Sequence, residues 1–278
     1  MKKSLSLLMI GIVYLIIILL GNWLWDYLKT FALFEKLLIT LLSISIILYI
    51  VNLGLKVRIL DPFYSVAPIL VIIKSSFELK PVLIGLISLI ILSSLWLISS
   101  LLPWFKSCTT ETWLSVYYKQ KVKGWWLIFN LLFFYVLPTL LLYLILLSPL
   151  MFLAKVNDNN LNLSTLIGFL LGLIGLVIIL LSHFQQLKTT NLSKNGLWSK
   201  SRYPNIFGKI LVVIASYLMT LSLDESQWIL FVGPLLYLIM YQWLIIPLSE
   251  KKRLLEVVDY FEYIKSTNLL IPLSKRNL

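Results

Sequence analysis

The residues best suited to chemistry sit in one polar, basic, turn-rich stretch, NGLWSKSRYPNIFGK, running from Asn195 to Lys209 between two apolar runs. Asn195-Gly196 is a turn signal, and Trp198 suits a membrane–water interface. Lys200 and Arg202 bracket Ser201, and Tyr203-Pro204 restricts the backbone just ahead of a helix. Asn205 falls at the start of that helix, with Gly208 one turn on and on the same face. The free N–H groups of a helix N-terminus attract anions, and Lys or Arg nearby adds charge. A side-chain amide both donates and accepts, which suits a carboxamide partner. Trp198, Ser201, Arg202, Asn205 and Gly208 therefore form a candidate site for a phosphate together with an amide-bearing ring.

Two other segments are expected to converge on this loop. In SHFQQLKTT, Gln185 and Lys188 lie three apart on one helical face. In the tail, SEKKRLLEVVDYFEYIKSTNLLIPL, Glu250, Arg253 and Glu256 step by three, and Tyr260 and Tyr263 continue that face. The alternative for the tail is an amphipathic helix lying on the bilayer, held by i,i+3 ion pairs. Leu254, Leu255, Val257 and Val258 would serve that helix as its apolar side.

The elements that position these residues are membrane helices. Of 278 residues, 60% are hydrophobic and only 13% charged. Soluble domains have about 45–50% apolar and about 25% charged residues. The fold expected is an all-α, polytopic integral membrane bundle of seven or eight transmembrane helices with a cytoplasmic C-terminus. Seven spans are read near residues 4–25, 34–55, 81–103, 125–153, 163–187, 206–222 and 228–248. The first looks signal-like, but its apolar stretch is long and no small-x-small site follows, so it is read as a retained helix. Pro138 and Pro149 are expected to kink or shorten the fourth span. The segment DPFYSVAPILVIIKSSF is ambiguous: it spans, tilts or re-enters. The distribution of Lys and Arg mildly favours eight spans. With either number, the Asn195–Lys209 loop and the tail face the cytoplasm, and Asp224-Glu225 faces the other side.

The net charge of +12 is explained first by topology and by contact with membrane lipids. No basic stripe points to nucleic acid. With one cysteine, Cys108, and one histidine, His183, the chain can form neither an internal disulfide framework nor a Cys/His metal cluster. No metal site is expected.

At the loop, GLWSKSRYPNIFG resembles the Ser-Arg-His-Pro-Asn-aromatic-Gly-Glu signature of the steroid 5α-reductase-like membrane proteins, most closely an uncharacterised bacterial branch. DPFYSVAPI, ETWLSVYYKQK, GPLLYLIMYQWLIIPLSEKK and YFEYIKSTNLLIP are similar to further segments of that branch, so the resemblance runs from about residue 58 to 273. It implies two parts, an N-terminal two-helix membrane segment at 1–57 and a reductase-like membrane domain with its cytoplasmic tail at 58–278.

The resemblance also implies an activity. NADPH would be held by cytoplasmic loops and the C-terminal segment, and a carbon–carbon double bond would be reduced in a lipid-like, steroid-like or isoprenoid substrate. Carried onto this sequence, Arg202, Asn205 and Gly208 match the cofactor loop, Tyr260 and Tyr263 match aromatic positions near it, and Gln185 matches a polar position on the preceding helix. The expected cofactor-binding set is Gln185, Lys188, Trp198, Ser201, Arg202, Asn205, Gly208, Arg253, Tyr260 and Tyr263. The location implied is a bacterial cell membrane, with the cofactor side facing the cytoplasm. The chain departs from the signature where Tyr203 replaces His, Lys209 replaces Glu, and His183 stands where an Asp is expected.

Hydride reduction also needs a proton donor within hydrogen-bond reach. Asp61 and Tyr64 are the catalytic candidates, because ionisable groups in a membrane-facing segment are costly to keep. For Asp61, a plain helix-start role before Pro62 is the alternative. Two other functions compete. One is an S-adenosylmethionine-dependent membrane methyltransferase of the isoprenylcysteine type, and the other is a non-catalytic member of the reductase fold.

Overall fold

A computed structural model of the chain describes residues 3–55, 60–74, 112–155, 162–187 and 194–273. Among these residues the regular structure is helical. The helices are α1 (Lys3–Tyr27), α2 (Leu33–Leu55), α3 (Leu60–Lys74), α4 (Trp113–Val122), α5 (Trp126–Asn130), α6 (Leu137–Lys155), α7 (Leu163–Leu187), α8 (Pro204–Leu223), α9 (Val232–Met240), α10 (Ile246–Glu256) and α11 (Tyr260–Ser266).

Among the described residues, six helical stretches are long and apolar enough to cross a membrane: Met9–Tyr27, Leu33–Gly54, Trp113–Lys155, Leu163–Leu187, Pro204–Leu223 and Glu225–Glu256. Each coincides with a span read from the sequence, and the chain is a polytopic helical membrane protein. The remaining span, 81–103, lies outside the described residues. The ambiguous segment is helical over Leu60–Lys74, with Pro68 inside it.

Prolines explain two irregular turns. Leu131–Val136 winds as a π-turn, in which the Leu137 N–H bonds to the Leu132 carbonyl, just ahead of Pro138. Tyr241–Ile245 does the same, with the Ile246 N–H on the Tyr241 carbonyl, just ahead of Pro247. Proline has no N–H to give and its ring crowds the preceding turn, so widening that turn accommodates it without breaking the helix. Pro138 was expected to kink or shorten its span; the turn ahead of it is widened, and the helix continues past it to Lys155.

The described residues form two compact units, one of residues up to 147 and one from 148 onward. In the first, hydroxyls tie helices together across the bundle. The Tyr49 hydroxyl donates to the Leu127 carbonyl at 2.8 Å. The Tyr64 hydroxyl donates to the Tyr135 carbonyl at 3.3 Å, and the Thr139 hydroxyl reaches the same carbonyl at 2.7 Å. An apolar cleft opens between α1, α2 and α3, lined by Ile17, Trp25, Leu41, Phe63, Ala67 and Val71, with Asn22 and Thr40 as its polar members.

The second unit is organised around the α7–α8 hairpin. A Cβ on Gly208 would fall 2.6 Å from the Gly175 carbonyl oxygen, and one on Gly175 would fall 2.7 Å from that of Gly208. Bare backbones meet there, as small residues allow between membrane helices. The hairpin's far end is fastened by Asn162. Its Oδ1 accepts from the Thr165 N–H and its Nδ2 donates to the Ser222 carbonyl, both at 2.8 Å. Beside it Lys155 pairs with Asp224, whose carboxylate also accepts from the Ser226 N–H and the Gln227 amide.

Candidate functional site: the loop and tail

Asn195 to Tyr203 leads into α8 and is tied down at several points. Gly196 sits at φ +62°, in the left-handed region that favours glycine. A Cβ there would also fall 2.5 Å from the Gln185 side-chain nitrogen. Gln185 itself accepts the Leu197 N–H at 2.9 Å, fixing the loop to the end of α7. Trp198 is fully buried, and its indole N–H donates to the Ser182 carbonyl at 2.8 Å.

The tail closes over this loop. α10 ends at Glu256, Val257 turns to extended backbone, and α11 starts afresh at Tyr260. This corrects the expectation of one continuous helical face from Glu250 to Tyr263. Val257 and Val258 are β-branched and Asp259 competes for backbone hydrogen bonds, so all three favour leaving the helix. The break lets α11 fold back. The Tyr263 hydroxyl donates to the Trp198 carbonyl at 2.5 Å. Beyond α11 the chain pairs with the loop in parallel: the Arg202 N–H donates to the Asn268 carbonyl at 2.8 Å, and the Ser201 hydroxyl to the Leu270 carbonyl at 2.7 Å.

Arg202 is the centre of this closure. Its Nε donates to Glu250 Oε1 at 2.7 Å, and its Nη1 donates to the Ile264 and Thr267 carbonyls, each at 2.9 Å. One guanidinium thus joins the loop, α10, α11 and the segment after α11. Arg253, on α10, lies over two rings, with its guanidinium carbon 5.3 Å from the centre of Tyr203 and 5.8 Å from that of Tyr260. This is cation–π geometry. The hydroxyls of Tyr203 and Tyr260 stand 3.4 Å apart. Burial, reinforced by the Tyr260 hydroxyl, pushes the Tyr203 phenol well above its ordinary pKa. Burial, and then Tyr260, does the same to Tyr263. Both phenols are therefore neutral at physiological pH and keep their protons.

Two polar atoms here are buried without a hydrogen-bond partner in the protein: Asn205 Oδ1, in the first turn of α8, and Arg253 Nη1. Buried polar groups are nearly always paired, so this acceptor and this charged donor keep unused bonding capacity beside the loop. The sequence-derived set thus divides. Gln185, Trp198, Ser201, Arg202 and Tyr263 spend hydrogen bonds holding the loop and tail together, and Gly208 packs against Gly175. Asn205 and Arg253 keep bonding capacity, and the Tyr260 ring lies beneath Arg253. Lys188 and the Asp61 side chain lie outside the described residues. Tyr64 belongs to the first unit, with its hydroxyl on the Tyr135 carbonyl and 3.3 Å from the Thr139 hydroxyl. Sequence reasoning left Thr267 and Asn268 out of the site, because partners more than sixty residues away leave no local signal.

A protein family described as of unknown function, DUF1295, matches residues 49–267, from the end of α2 to the carbonyl that holds Arg202. The chain belongs to the DUF1295 family. The match takes in the loop, α10 and α11, so every bond of the Arg202 guanidinium lies within the DUF1295 region, while the Asn268 and Leu270 carbonyls fall just beyond it. No curated protein and no solved structure matches the chain.

Proposed function

We propose that this chain is a membrane-embedded reductase that uses NADPH to reduce a carbon–carbon double bond in a lipid-like, steroid-like or isoprenoid substrate. The observation that carries the reading is the unpartnered pair beside the cytoplasmic loop, Arg253 Nη1 and Asn205 Oδ1. A guanidinium N–H suits a phosphate or carboxamide oxygen, and an amide oxygen suits a carboxamide N–H. The donor set therefore fits a cofactor with both groups, and the resemblance of GLWSKSRYPNIFG to the steroid 5α-reductase-like signature supports NADPH in particular.

NADPH supplies the hydride when bound. The protein's part is to hold the cofactor, exclude water and deliver a proton. Arg253, stacked over Tyr203 and Tyr260, would bind the anionic or amide end with little reorganisation, and Asn205 would fix its orientation. Arg202 acts as a positioning residue, since its bonds go to Glu250 and tail carbonyls. Asp61 and Tyr64 are the proposed proton donors. A phenol O–H, as at Tyr64, could supply the proton that such a reduction needs. The apolar cleft between α1, α2 and α3, where Phe63 sits next to Tyr64 in the chain, suits a lipid-like substrate. The cofactor side would face the cytoplasm of a bacterial cell membrane.

The test supplies NADPH deuterated at the transferred position, with a panel of enone and polyprenyl lipids, to the detergent-solubilised protein. Product one deuterium heavier, lost in Tyr64→Phe and Arg253→Ala, is expected. No label transfer by folded protein would refute reductase activity. Methylation of a lipid from S-adenosylmethionine in its place would assign the site to methyl transfer.

A further inference from the structure

The cleft between α1, α2 and α3 is apolar along most of its length, with Ile17, Leu41, Ile44, Phe63 and Ala67 in its walls. Its lining residues nearest the α1–α2 turn are of another kind: Asn22 and Trp25 on α1 and Thr40 on α2. Lys36 stands at the same end. It lies one turn ahead of Thr40, whose hydroxyl donates to the Lys36 carbonyl at 2.7 Å, and its Nζ rests 4.7 Å from the centre of the Trp25 ring. Asn22, Trp25, Lys36 and Thr40 all precede residue 49, so this end of the cleft is built outside the DUF1295 match.

Two polar groups at this end keep bonding capacity. The Lys36 ammonium makes no ion pair among the described residues, and its contact is the Trp25 ring. Glu35, its neighbour, turns instead to the start of α2, where its Oε2 accepts the Ala32 N–H at 3.3 Å. Lys36 is half-buried, so its charge is less screened than one on an open surface. The Asn22 amide lines the cleft and makes no side-chain hydrogen bond among the described residues. Trp23 stacks on Tyr27 at 5.4 Å in the same turn of α1, and both rings are mostly exposed. Such rings settle at headgroup depth. The polar end of the cleft therefore lies at the membrane interface, and its apolar length runs along the membrane-crossing stretches of α1 and α2.

We propose that this cleft binds a long-chain carboxylic acid, with the carboxylate on Lys36 and Asn22 and the hydrocarbon chain between α1, α2 and α3. Carboxylate oxygens accept hydrogen bonds only, and an ammonium and an amide NH2 both donate. Thr40 spends its proton on the Lys36 carbonyl, so Lys36 and Asn22 are the donors of this end. One cation beside one neutral amide matches a single negative charge. A phosphate monoester carries about −1.5 to −2 and calls for a second cation. The apolar walls beyond suit a hydrocarbon chain. The proposal rests on the reading of this cleft as the lipid site and narrows the class of lipid; it requires no cofactor.

The test is native mass spectrometry of the full chain in mild detergent, exposed in turn to palmitic acid, hexadecanol and hexadecyl phosphate, with no NADPH present. Wild type is expected to retain one palmitic acid per chain, about tenfold more tightly than hexadecanol, because a bond to a charged group is the stronger kind. K36Q should bring palmitic acid down to the level of hexadecanol, and K36R should restore most of the difference. K29Q, which removes an exposed lysine that does not line the cleft, should change nothing. L70W, at an exposed lining position, should lower retention of the acid and the alcohol alike while the unfolding temperature holds. Failure of folded wild type to retain palmitic acid one to one, equal retention of acid and alcohol, or a K36Q variant that behaves as wild type would overturn the proposal. Tighter retention of hexadecyl phosphate would overturn the choice of a carboxylate. None of these outcomes bears on hydride transfer, which the deuterium-label experiment decides separately.

Discussion

Replacing Arg202 with alanine should release the tail from the loop without unfolding the bundle. The guanidinium makes three charge-assisted hydrogen bonds, to Glu250 at 2.7 Å and to the Ile264 and Thr267 carbonyls at 2.9 Å. The Arg202 and Glu250 side chains are only 11% and 18% exposed. Removing one partner of a buried pair costs about 3–5 kcal/mol. Some solvent reaches both groups, so the lower end, about 3 kcal/mol, applies. That corresponds to roughly a hundredfold rise in the open population. Amide hydrogen exchange of the purified protein reads this directly. Peptides covering 260–270 should exchange about a hundredfold faster in Arg202→Ala, while the α7–α8 hairpin keeps its wild-type rate. Arg202→Lys should rescue little, since an ammonium cannot reproduce the planar fork that reaches Glu250 and two carbonyls at once. Tail exchange within about twofold of wild type would refute the clamp. Equal acceleration throughout the chain would refute its local character.

Three further outcomes follow from the same structure. Gly208→Ala forces a Cβ to 2.6 Å from the Gly175 carbonyl and should cost about 1–3 kcal/mol, seen as a lower unfolding temperature; an unchanged temperature would contradict the close backbone contact. Gly196→Ala combines a left-handed φ of +62° with a clash on Gln185, and should increase protease sensitivity of the loop while sparing the hairpin. The bond to Lys155, followed by those from Ser226 and Gln227, holds the Asp224 carboxyl well below the usual carboxylate range. A depressed carboxyl stabilises the fold above its unfolded pKa, about 4, and loses that contribution as pH falls below it. Wild type should therefore exceed Asp224→Asn in stability from pH 7 to pH 5, with the gap narrowing only under about pH 4; a gap independent of pH down to 3 would contradict the ion pair.

The membrane helices were legible in the sequence because each is an apolar run of the required length, and this signal needs no tertiary information. The loop was legible for a related reason, since polar and turn-forming residues stand out between such runs. The division of labour within it was not. Arg202 reads as an anion ligand from its position beside a helix start, yet its donors go to residues 48 to 65 positions away. Nothing local distinguishes a guanidinium that binds a ligand from one that binds the tail. Gly208 likewise reads as a cofactor-loop residue, and its role in packing appears only once Gly175 lies opposite. The break before α11 had a local cause in Val257, Val258 and Asp259, but the three-residue spacing of Glu250, Arg253 and Glu256 masked it. Asn205 and Arg253 were chosen from the sequence for their chemistry, and each keeps one buried atom without a hydrogen-bond partner.

The most direct test of the central claim is a calorimetric titration of NADPH into the detergent-solubilised protein, with S-adenosylmethionine in parallel, for wild type, Asn205→Ala and Arg253→Ala. Saturable NADPH binding by wild type, weakened at least tenfold in each variant while both keep the wild-type unfolding temperature, is the predicted result. A folded wild-type protein that binds no NADPH, or variants that bind it as tightly as wild type, would contradict the account.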